Sequence, residues 1–145
     1  MPYAVGIDMI AIPRVRAALE RHDGRFLSRV YTEVEVAFCR GRVQELAARF
    51  AAKEAVMKAL GTGARGVAWR EIEVLPDRRG KPLVYLYGRA RERAERIGLR
   101  ALEVSLSHEG DYAVAAVVGV REGEADDPQE SRQRLVRRLK ERGLL

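Results

Sequence analysis

Four charged side chains stand in stretches of this chain that are otherwise apolar, and they are the residues best suited to chemistry. Lys53, Glu54 and Lys58 lie in an alanine-rich segment, and Asp8 interrupts the apolar run Tyr3–Ile10. Charged residues are almost never fully buried unless they are paired, because a bare charge in an apolar site costs several kcal/mol. We therefore expect these charges to pair, to bind a ligand or to line a cleft.

Asp8 and Glu54 are the two carboxylates of this set, and together they could hold a hard cation. Magnesium takes one or two protein carboxylates together with substrate phosphates and keeps its remaining waters. There are plainer alternatives. Asp8 could be a strand-end or turn residue, and Glu54 could pair with Lys58 at i,i+4 on a helix surface, which is worth about 0.2–0.5 kcal/mol. Spacing alone favours the simple ion pair, but the apolar surroundings reduce that preference.

Two further features are compatible with phosphate binding. Gly61-Thr62-Gly63 follows the alanine-rich segment and predicts a helix end, while glycine-rich loops also let backbone N–H groups approach a phosphate. His108 follows Ser107 at a predicted strand end, where it is either a turn residue or a donor to a phosphate. The residues alone leave both interpretations open.

The elements that must position these residues follow from apolar periodicity and from end signals. Val43–Leu60 is predicted to be one long helix, apolar on nearly all sides and therefore buried. The order of elements predicts the α+β class, with an antiparallel sheet packed with a long central helix and a C-terminal helical extension. The other predicted elements are a strand at Tyr3–Ile10, a helix from Pro13 to about His22 that Asp23-Gly24 ends, a short helix behind a Thr32/Glu35 capping box, strands at Glu71–Leu75 and Leu83–Tyr87 around the turn Asp77–Gly80, a helix at Arg89–Ile97, and a hairpin of Leu102–Ser107 with Tyr112–Val120.

The C-terminal end is predicted to be separate from the rest of the chain. Residues 1–120 form one predicted domain, and residues 121–145 form a linker and a basic helix. Arg121–Pro128 has the charged composition of a linker, and Asp127, Pro128 and Glu130 have the pattern of a helix start. The apolar stripe of this helix is narrow and consists of Leu135, Val136 and Leu139.

Composition bounds the class of protein. A chain of 145 residues suits one globular core, and its formal charge of +6 favours acidic partners: nucleic acid, an anionic membrane, an acidic protein or a phosphate-rich ligand. The single cysteine, Cys39, excludes an internal disulfide and a cysteine-based zinc site, which fits a reducing cytoplasm. We find no signal peptide and no apolar run near the roughly 20 residues that span a bilayer. The expectation is a soluble cytoplasmic protein with no membrane partner.

Taken together, these segments resemble the acyl-carrier-protein synthase type of 4′-phosphopantetheinyl transferase. The resemblance covers Tyr3–Val120, the order and spacing of the segments match, and the long central motif is highly specific. The stretch beyond Val120 has no counterpart in the usual short members. The matching segments are Gly6-Ile7-Asp8 with Arg14 downstream, Arg49-Phe50-Ala51-Ala52-Lys53-Glu54-Ala55, Lys58-Ala59-Leu60-Gly61-Thr62-Gly63, Ile72-Glu73-Val74, Gly80-Lys81-Pro82 and Val104-Ser105-Leu106-Ser107-His108.

The resemblance implies an enzyme that transfers 4′-phosphopantetheine from coenzyme A to a serine of acyl carrier protein for fatty acid biosynthesis, releasing adenosine 3′,5′-bisphosphate. It implies Asp8 and Glu54 as Mg²⁺ ligands, Glu54 also as the group that activates the serine directly or through water, and Lys58 as a phosphate contact that assists the leaving group. It further implies a homotrimer with each site between two subunits. The implied coenzyme A residues are Arg49, Lys58, Gly63, Ser107 and His108.

The family docks its acidic carrier protein on a basic first helix. Arg14, Arg21 and Arg25 recur at i, i+7 and i+11, so they share one side if the helix continues past Gly24. Without the other motifs, a solvated basic face would be the commoner explanation. The positions that match the docking residues of the family are Arg14, Arg21, Arg25 and Arg29.

A nucleic-acid-binding module is the competing class. The sequence pI of about 9.9 and the arginine-rich C-terminal end favour it. Aromatic residues make up only 6% of the chain, and no stacking platform or zinc pattern is recognisable. We therefore expect no nucleic acid partner.

Overall fold

The structure is a computed structural model, and it describes residues 3–21, 24–122 and 127–145. Within these residues the chain forms five strands and six α-helices. The strands are β1 (Tyr3–Ala11), β2 (Ile72–Pro76), β3 (Pro82–Leu86), β4 (Leu99–Glu109) and β5 (Tyr112–Arg121), and the helices are α1 (Ile12–Arg21), α2 (Arg25–Val30), α3 (Glu33–Cys39), α4 (Val43–Leu60), α5 (Gly88–Arg96) and α6 (Pro128–Glu141).

The larger sheet has the strand order β1-β5-β4, and all its pairs are antiparallel. The central strand β5 pairs with β4 as the predicted hairpin and with β1 along its other edge, where Asp8 lies opposite Ala115. β2 and β3 form a separate two-stranded antiparallel sheet. The chain is thus α+β, as predicted.

β1 presents two chemically different faces, because successive side chains of a strand point to opposite sides. Ala4 and Ile10 are buried, and Asp8 shares their face. The opposite face is apolar and exposed, and it continues on the neighbouring strand β5. Its large side chains are Tyr3, Val5, Ile7 and Met9 at 62–66% exposure, with Tyr112 at 52% and Val118 at 49%.

The long helix α4 lies in the core, as its apolar surroundings predicted. Its bounds agree with the predicted ones, and the helix ends where Gly61 adopts a left-handed conformation with φ of 73°. Glycine is favoured at such a position because it has no Cβ to clash. The small and large apolar side chains of α4 that are buried include Leu46, Ala47, Ala51, Ala52, Ala55, Met57 and Leu60.

A buried ion pair holds α4 to the elements on its other side. Lys53 and Glu35 are both completely buried, and the Lys53 ammonium lies 2.7 Å from the Glu35 carboxylate. The Lys53 ammonium also donates to the carbonyl oxygens of Trp69 and Ile72, while Glu35 accepts the backbone N–H of Val74. Burial lowers the pKa of Lys53, and the charge of Glu35 opposes that effect. The pair therefore fastens α3, α4 and β2 together.

Local end signals predicted the first half of the chain well, with one boundary open. The Thr32/Glu35 capping box is present in the structure. α1 ends at Arg21, and Gly24, with φ of 83°, precedes the separate helix α2. Arg25 and Arg29 thus lie on α2, so the four arginines that the resemblance assigns to carrier docking do not share one continuous helix. The predicted helix end at His22 and Asp23 falls outside the described residues.

The second half of the chain needs two corrections. β4 begins at Leu99 rather than Leu102, and Arg121 belongs to β5, where it pairs with Leu99, rather than to a linker. Strand pairing overrides the charged composition of this segment. The rest of the predicted linker, residues 123–126, lies outside the described residues. α6 starts as predicted, with the Asp127 carboxylate accepting the backbone N–H of Gln129.

Lys53→Met should lower the free energy of unfolding by about 3–5 kcal/mol, because it leaves the Glu35 carboxylate buried without a cationic partner. The double variant Lys53→Met/Glu35→Gln should recover part of this loss, since it removes the unpaired charge. Lys81→Met is the control, because the Lys81–Glu103 pair is exposed and its loss should change little. Urea unfolding measures all three, and equal losses for Lys53→Met and Lys81→Met would contradict a stabilising role of the buried pair.

Candidate active site

Asp8 and Lys58 meet where β1 crosses α4. The Lys58 ammonium donates to the backbone carbonyl of Ile7 at 2.9 Å and lies 3.4 Å from the Asp8 carboxylate. The Asp8 side chain is 15% exposed and the Lys58 side chain is 54% exposed. Lys58 thus forms an ion pair with Asp8 of the neighbouring strand. The alternative, a Glu54–Lys58 pair along the helix, is not among the ion pairs of the described residues.

Asp8 lies close enough to Glu54 to influence the ionisation of the Glu54 carboxyl. Burial raises the pKa of the Glu54 carboxyl above its usual value, and the negative charge of Asp8 raises it further. The positive charges of Lys58 and Arg14 act in the opposite direction and are the smaller causes. The nearby positive charges therefore do not offset the effects of burial and of Asp8 on the Glu54 carboxylate.

A cavity of about 290 Å³ connects these residues. Asp8, Glu54 and Arg14 supply its polar wall. The rest of its lining is mainly apolar and includes Val15, Ala18, Phe26 and Phe50. The cavity combines two carboxylates with an apolar surface next to them, so it could accept a ligand with a cationic or cation-bridged end.

The donor set fits a magnesium ion that is completed by a substrate. Within the described part of the chain, no three or more His, Cys, Asp or Glu side chains are grouped so that they could hold a metal by themselves. Two carboxylates are what Mg²⁺ uses when substrate phosphates and water fill the rest of its shell. The raised pKa of Glu54 agrees, because a cation between the carboxylates would relieve their repulsion.

A second and larger cavity, of about 720 Å³, contains two of the residues predicted to bind coenzyme A. These are Arg49 and His108. Arg49 is held rigidly: its guanidinium donates to the Val74 carbonyl at 2.9 Å, pairs with Glu45 at 2.7 Å and lies 4.6 Å from the centre of the Phe38 ring. A fixed guanidinium in a cavity wall is suited to an anionic ligand.

Arg78 and Lys81 line the same second cavity. Lys81 belongs to the matching segment Gly80-Lys81-Pro82, but the sequence assigned a role to neither residue. They belong to the turn between β2 and β3, whose shape depends on the Asp77 carboxylate accepting the backbone N–H groups of Arg79 and Lys81. The turn was predictable, but its position beside β4 was not. The one available signal was the presence of two cations next to the matching Gly80-Lys81-Pro82 segment.

The remaining predicted coenzyme A residues lie elsewhere. Ser107 is exposed on β4, opposite Val114, and does not line the second cavity. Gly63, with φ of 59°, lies in the loop after α4 and lines neither cavity, while Lys58 lies beside Asp8. Within one chain, Asp8, Glu54 and Lys58 thus lie together, while Arg49 and His108 line a separate cavity.

A long buried helix packs on a three-stranded antiparallel sheet, and Glu54 of this helix and Asp8 of β1 line one cavity where the two elements cross. The sequence model described as the 4′-phosphopantetheinyl transferase superfamily matches residues 4–117. The chain belongs to this family, as the sequence motifs predicted.

Relatives and solved structures agree on a narrower group. The chain is 52% identical over 122 residues to a holo-[acyl-carrier-protein] synthase of Herpetosiphon aurantiacus, covering 79% of this chain and 96% of that protein. It resembles the crystal structure of the Neisseria meningitidis holo-[acyl-carrier-protein] synthase with a TM-score of 0.76, at 33% identity and covering 81% and 98% of the two chains. The Helicobacter pylori enzyme, solved in complex with coenzyme A, matches with a TM-score of 0.74 at 29% identity over 80% and 99%. The predicted fold is confirmed.

Glu54→Gln should raise the melting temperature of the ligand-free protein at pH 8, on the order of 1–2 °C. The pKa of Glu54 is raised in the folded state, so its ionised form is disfavoured there, and this cost is present above the usual carboxyl pKa. The gain should shrink as the pH falls and should vanish below about 4.3, where the carboxyl becomes neutral in both the folded and the unfolded state. Glu92→Gln, on the exposed side of α5, is the control. A loss of stability at pH 8 would contradict the charge repulsion.

Proposed function

We propose that this protein transfers 4′-phosphopantetheine from coenzyme A to a serine hydroxyl of acyl carrier protein and releases adenosine 3′,5′-bisphosphate, as a step that serves fatty acid biosynthesis. Its family membership and its relatives named holo-[acyl-carrier-protein] synthase support this transferase activity. The observation that carries the proposal is the meeting of Asp8, Glu54 and Lys58 at the crossing of β1 and α4.

Each of these three residues has a distinct role in the proposed transfer. Asp8 and Glu54 hold Mg²⁺, which when bound neutralises charge on the coenzyme A diphosphate. A bond forms between the serine oxygen and the β-phosphorus, and the bond from that phosphorus to the oxygen of adenosine 3′,5′-bisphosphate breaks. Glu54 accepts the serine proton directly or through water. Lys58, half-exposed beside Asp8, supplies positive charge to the leaving phosphate.

The second cavity is the proposed binding place for the nucleotide part of coenzyme A. Arg49 and His108 line it, and Arg78 and Lys81 add positive charge that suits the several phosphates of this substrate. Gly63 and Ser107 are proposed contacts from the flanking segments. Because the second cavity and the carboxylate cavity are separate within one chain, we expect one substrate molecule to use the two groups from different subunits.

A homotrimer is the proposed assembly. The outer face of the β1-β5-β4 sheet exposes a continuous row of large apolar side chains, with Ile7 at 63% and Val5 at 66%. Contiguous exposed apolar patches of this kind are typical of protein contacts. We propose the cytoplasm as the location, and none of the helices in the described ranges combines the length and apolar character needed to cross a bilayer.

The acidic carrier protein is proposed to dock on the basic surface of α1 and α2. Arg14 lines the carboxylate cavity, so this surface begins at the active site. Arg21 follows at the end of α1, and Arg25 and Arg29 lie on α2. Neither nucleic acid nor a membrane is a proposed partner. The melting temperature, measured with coenzyme A and Mg²⁺ and separately with an oligonucleotide, distinguishes the transferase from the nucleic-acid-binding alternative. The transferase should be stabilised by the first addition and not by the second.

Residues 1–120 are the proposed transferase domain, and residues 121–145 the proposed extension. The matching of the family ends at residue 117, before the extension starts. No residue of α6 is buried, and Leu135 in its apolar stripe is 48% exposed. Since β5 includes Arg121, the domain extends to Arg121 and Glu122. The backbone N–H of Glu122 donates to the Gly98 carbonyl at 2.9 Å.

Asp8→Ala should lower the rate of transfer in magnesium by about 10²–10³-fold while the protein stays folded, because it removes a proposed metal ligand from the site. Asp111→Ala is the matched control, since it removes an exposed carboxylate from a turn of the same sheet. Transfer of radiolabelled phosphopantetheine to apo carrier protein measures the rate. Strong turnover by folded Asp8→Ala would exclude Asp8 from the metal site.

Arg21→Glu and Arg25→Glu should each raise the KM for the carrier protein by several-fold with little effect on coenzyme A affinity, because rim charges act mainly on association. Arg14 is left intact in this test because it lines the carboxylate cavity. Arg96→Glu on α5 is the control for the same change in net charge. If the wild-type rate at subsaturating carrier does not fall with added salt, electrostatic docking loses its support.

A chain that ends at Glu122 should stay folded, trimeric and active, with a melting temperature at most a few degrees lower. The narrow stripe of α6 can bury only a limited area, worth a few kcal/mol at about 25 cal/mol per Å². Light scattering gives the mass of both chains, and the transfer assay compares their rates. A trimeric full chain with a monomeric, inactive truncation would show that residues 123–145 build the assembly, whereas a monomeric full chain would contradict the proposed trimer itself.

A further inference from the structure

β1 and α4 are in direct backbone contact at Gly6. A Cβ built on Gly6 would overlap the Ala55 carbonyl oxygen, and it would lie 2.8 Å from the Ala55 carbonyl carbon and 3.2 Å from the Ala59 nitrogen. All three are backbone atoms of α4, so no flexible side chain could move aside. Only glycine therefore allows the strand to lie this close to the helix.

The contact at Gly6 is next to all three proposed active-site side chains. Asp8 is two residues further along β1 and shares the face of Gly6. Glu54 and Lys58 immediately precede Ala55 and Ala59, the two helix residues that Gly6 touches. The Lys58 ammonium donates to the Ile7 carbonyl at 2.9 Å, and this exposed hydrogen bond also connects β1 to α4.

We infer that Gly6 is a positioning residue for the transfer: the absence of its Cβ sets the separation of the Asp8 and Glu54 carboxylates. This inference rests on the proposed function, in which both carboxylates hold Mg²⁺. A methyl group at Gly6 would push β1 away from α4 and carry Asp8 with it, because strand and side chain move together. The cation that both carboxylates share would then be bound less well.

The test compares Gly6→Ala with Gly119→Ala. A Cβ at Gly119 would also meet backbone, at 2.7 Å from the Ala101 carbonyl oxygen, but this contact lies between β5 and β4 and does not involve α4. Both variants should melt at a lower temperature. Only Gly6→Ala should raise the Mg²⁺ concentration for half-maximal transfer, by about tenfold or more, which is the usual effect of disturbing a group that orients a metal ligand.

A second readout does not depend on turnover. Magnesium should raise the melting temperature of the wild-type protein in the presence of coenzyme A, and the concentration that gives half of this shift is the measure. Gly6→Ala should need about tenfold more magnesium here as well. Gly119→Ala should match the wild type.

A compensating substitution makes the inference specific to distance. Asp8→Glu adds one methylene to the carboxylate, so in the otherwise intact chain it should raise the magnesium requirement. In the Gly6→Ala background the same substitution should lower the requirement, because the longer side chain spans the widened gap. Opposite signs in the two backgrounds are a coupling that independent effects on stability do not produce.

Several outcomes would overturn the inference. A folded Gly6→Ala protein with an unchanged magnesium requirement would make Gly6 a packing residue only. If Gly6→Ala does not fold, Asp8→Glu alone decides, and a wild-type magnesium requirement would show that the carboxylate separation is not set at this crossing. Failure of the proposed function looks different: the wild-type protein would then show no magnesium-dependent transfer from coenzyme A.

Discussion

The close packing of α4 against the sheet is the constraint on which the rest of the structure depends. Protein interiors are packed as densely as organic crystals, so the size of the side chains at such a contact sets the distance between the elements. Here the facing positions are small, which lets the helix and the sheet approach until β1 touches the helix backbone. The fully buried alanines of the two elements are Ala47, Ala51, Ala52 and Ala55 of α4 and Ala113 and Ala115 of β5.

The same helix carries two consecutive charges in opposite situations. Lys53 lies in the core, where its ammonium contacts the Glu35 carboxylate and two backbone carbonyls. Glu54, one residue on, turns toward a cavity where the nearest acid, Asp8, adds repulsion rather than relief. The Lys53–Glu35 pair stabilises the fold. The Glu54–Asp8 pair carries more negative charge than its neighbours offset, which is typical of a binding or catalytic site.

Sequence was informative wherever the signal was local. The bounds of α4 and the Thr32 capping box depend on neighbouring residues, and both were predicted. The only side-chain partner that the sequence offered for Lys58 was Glu54, because helix spacing contains Glu54 but carries no information about a strand fifty residues away. Arg78 and Lys81 were missed for the same reason, since only tertiary packing brings their turn to the cavity of Arg49 and His108.

The proposed assembly and the proposed chemistry share one strand. Ile7 offers its carbonyl oxygen to Lys58, while its side chain points to the exposed apolar face of the sheet. The exposed apolar face of the sheet thus includes Ile7, the residue next to Asp8 in β1. A second copy placed on this surface would bury apolar area and at the same time fix the position of β1 relative to α4. In the proposed trimer, association would therefore stabilise the geometry of the carboxylate pair, so that stability of the assembly and order in the site have a common origin.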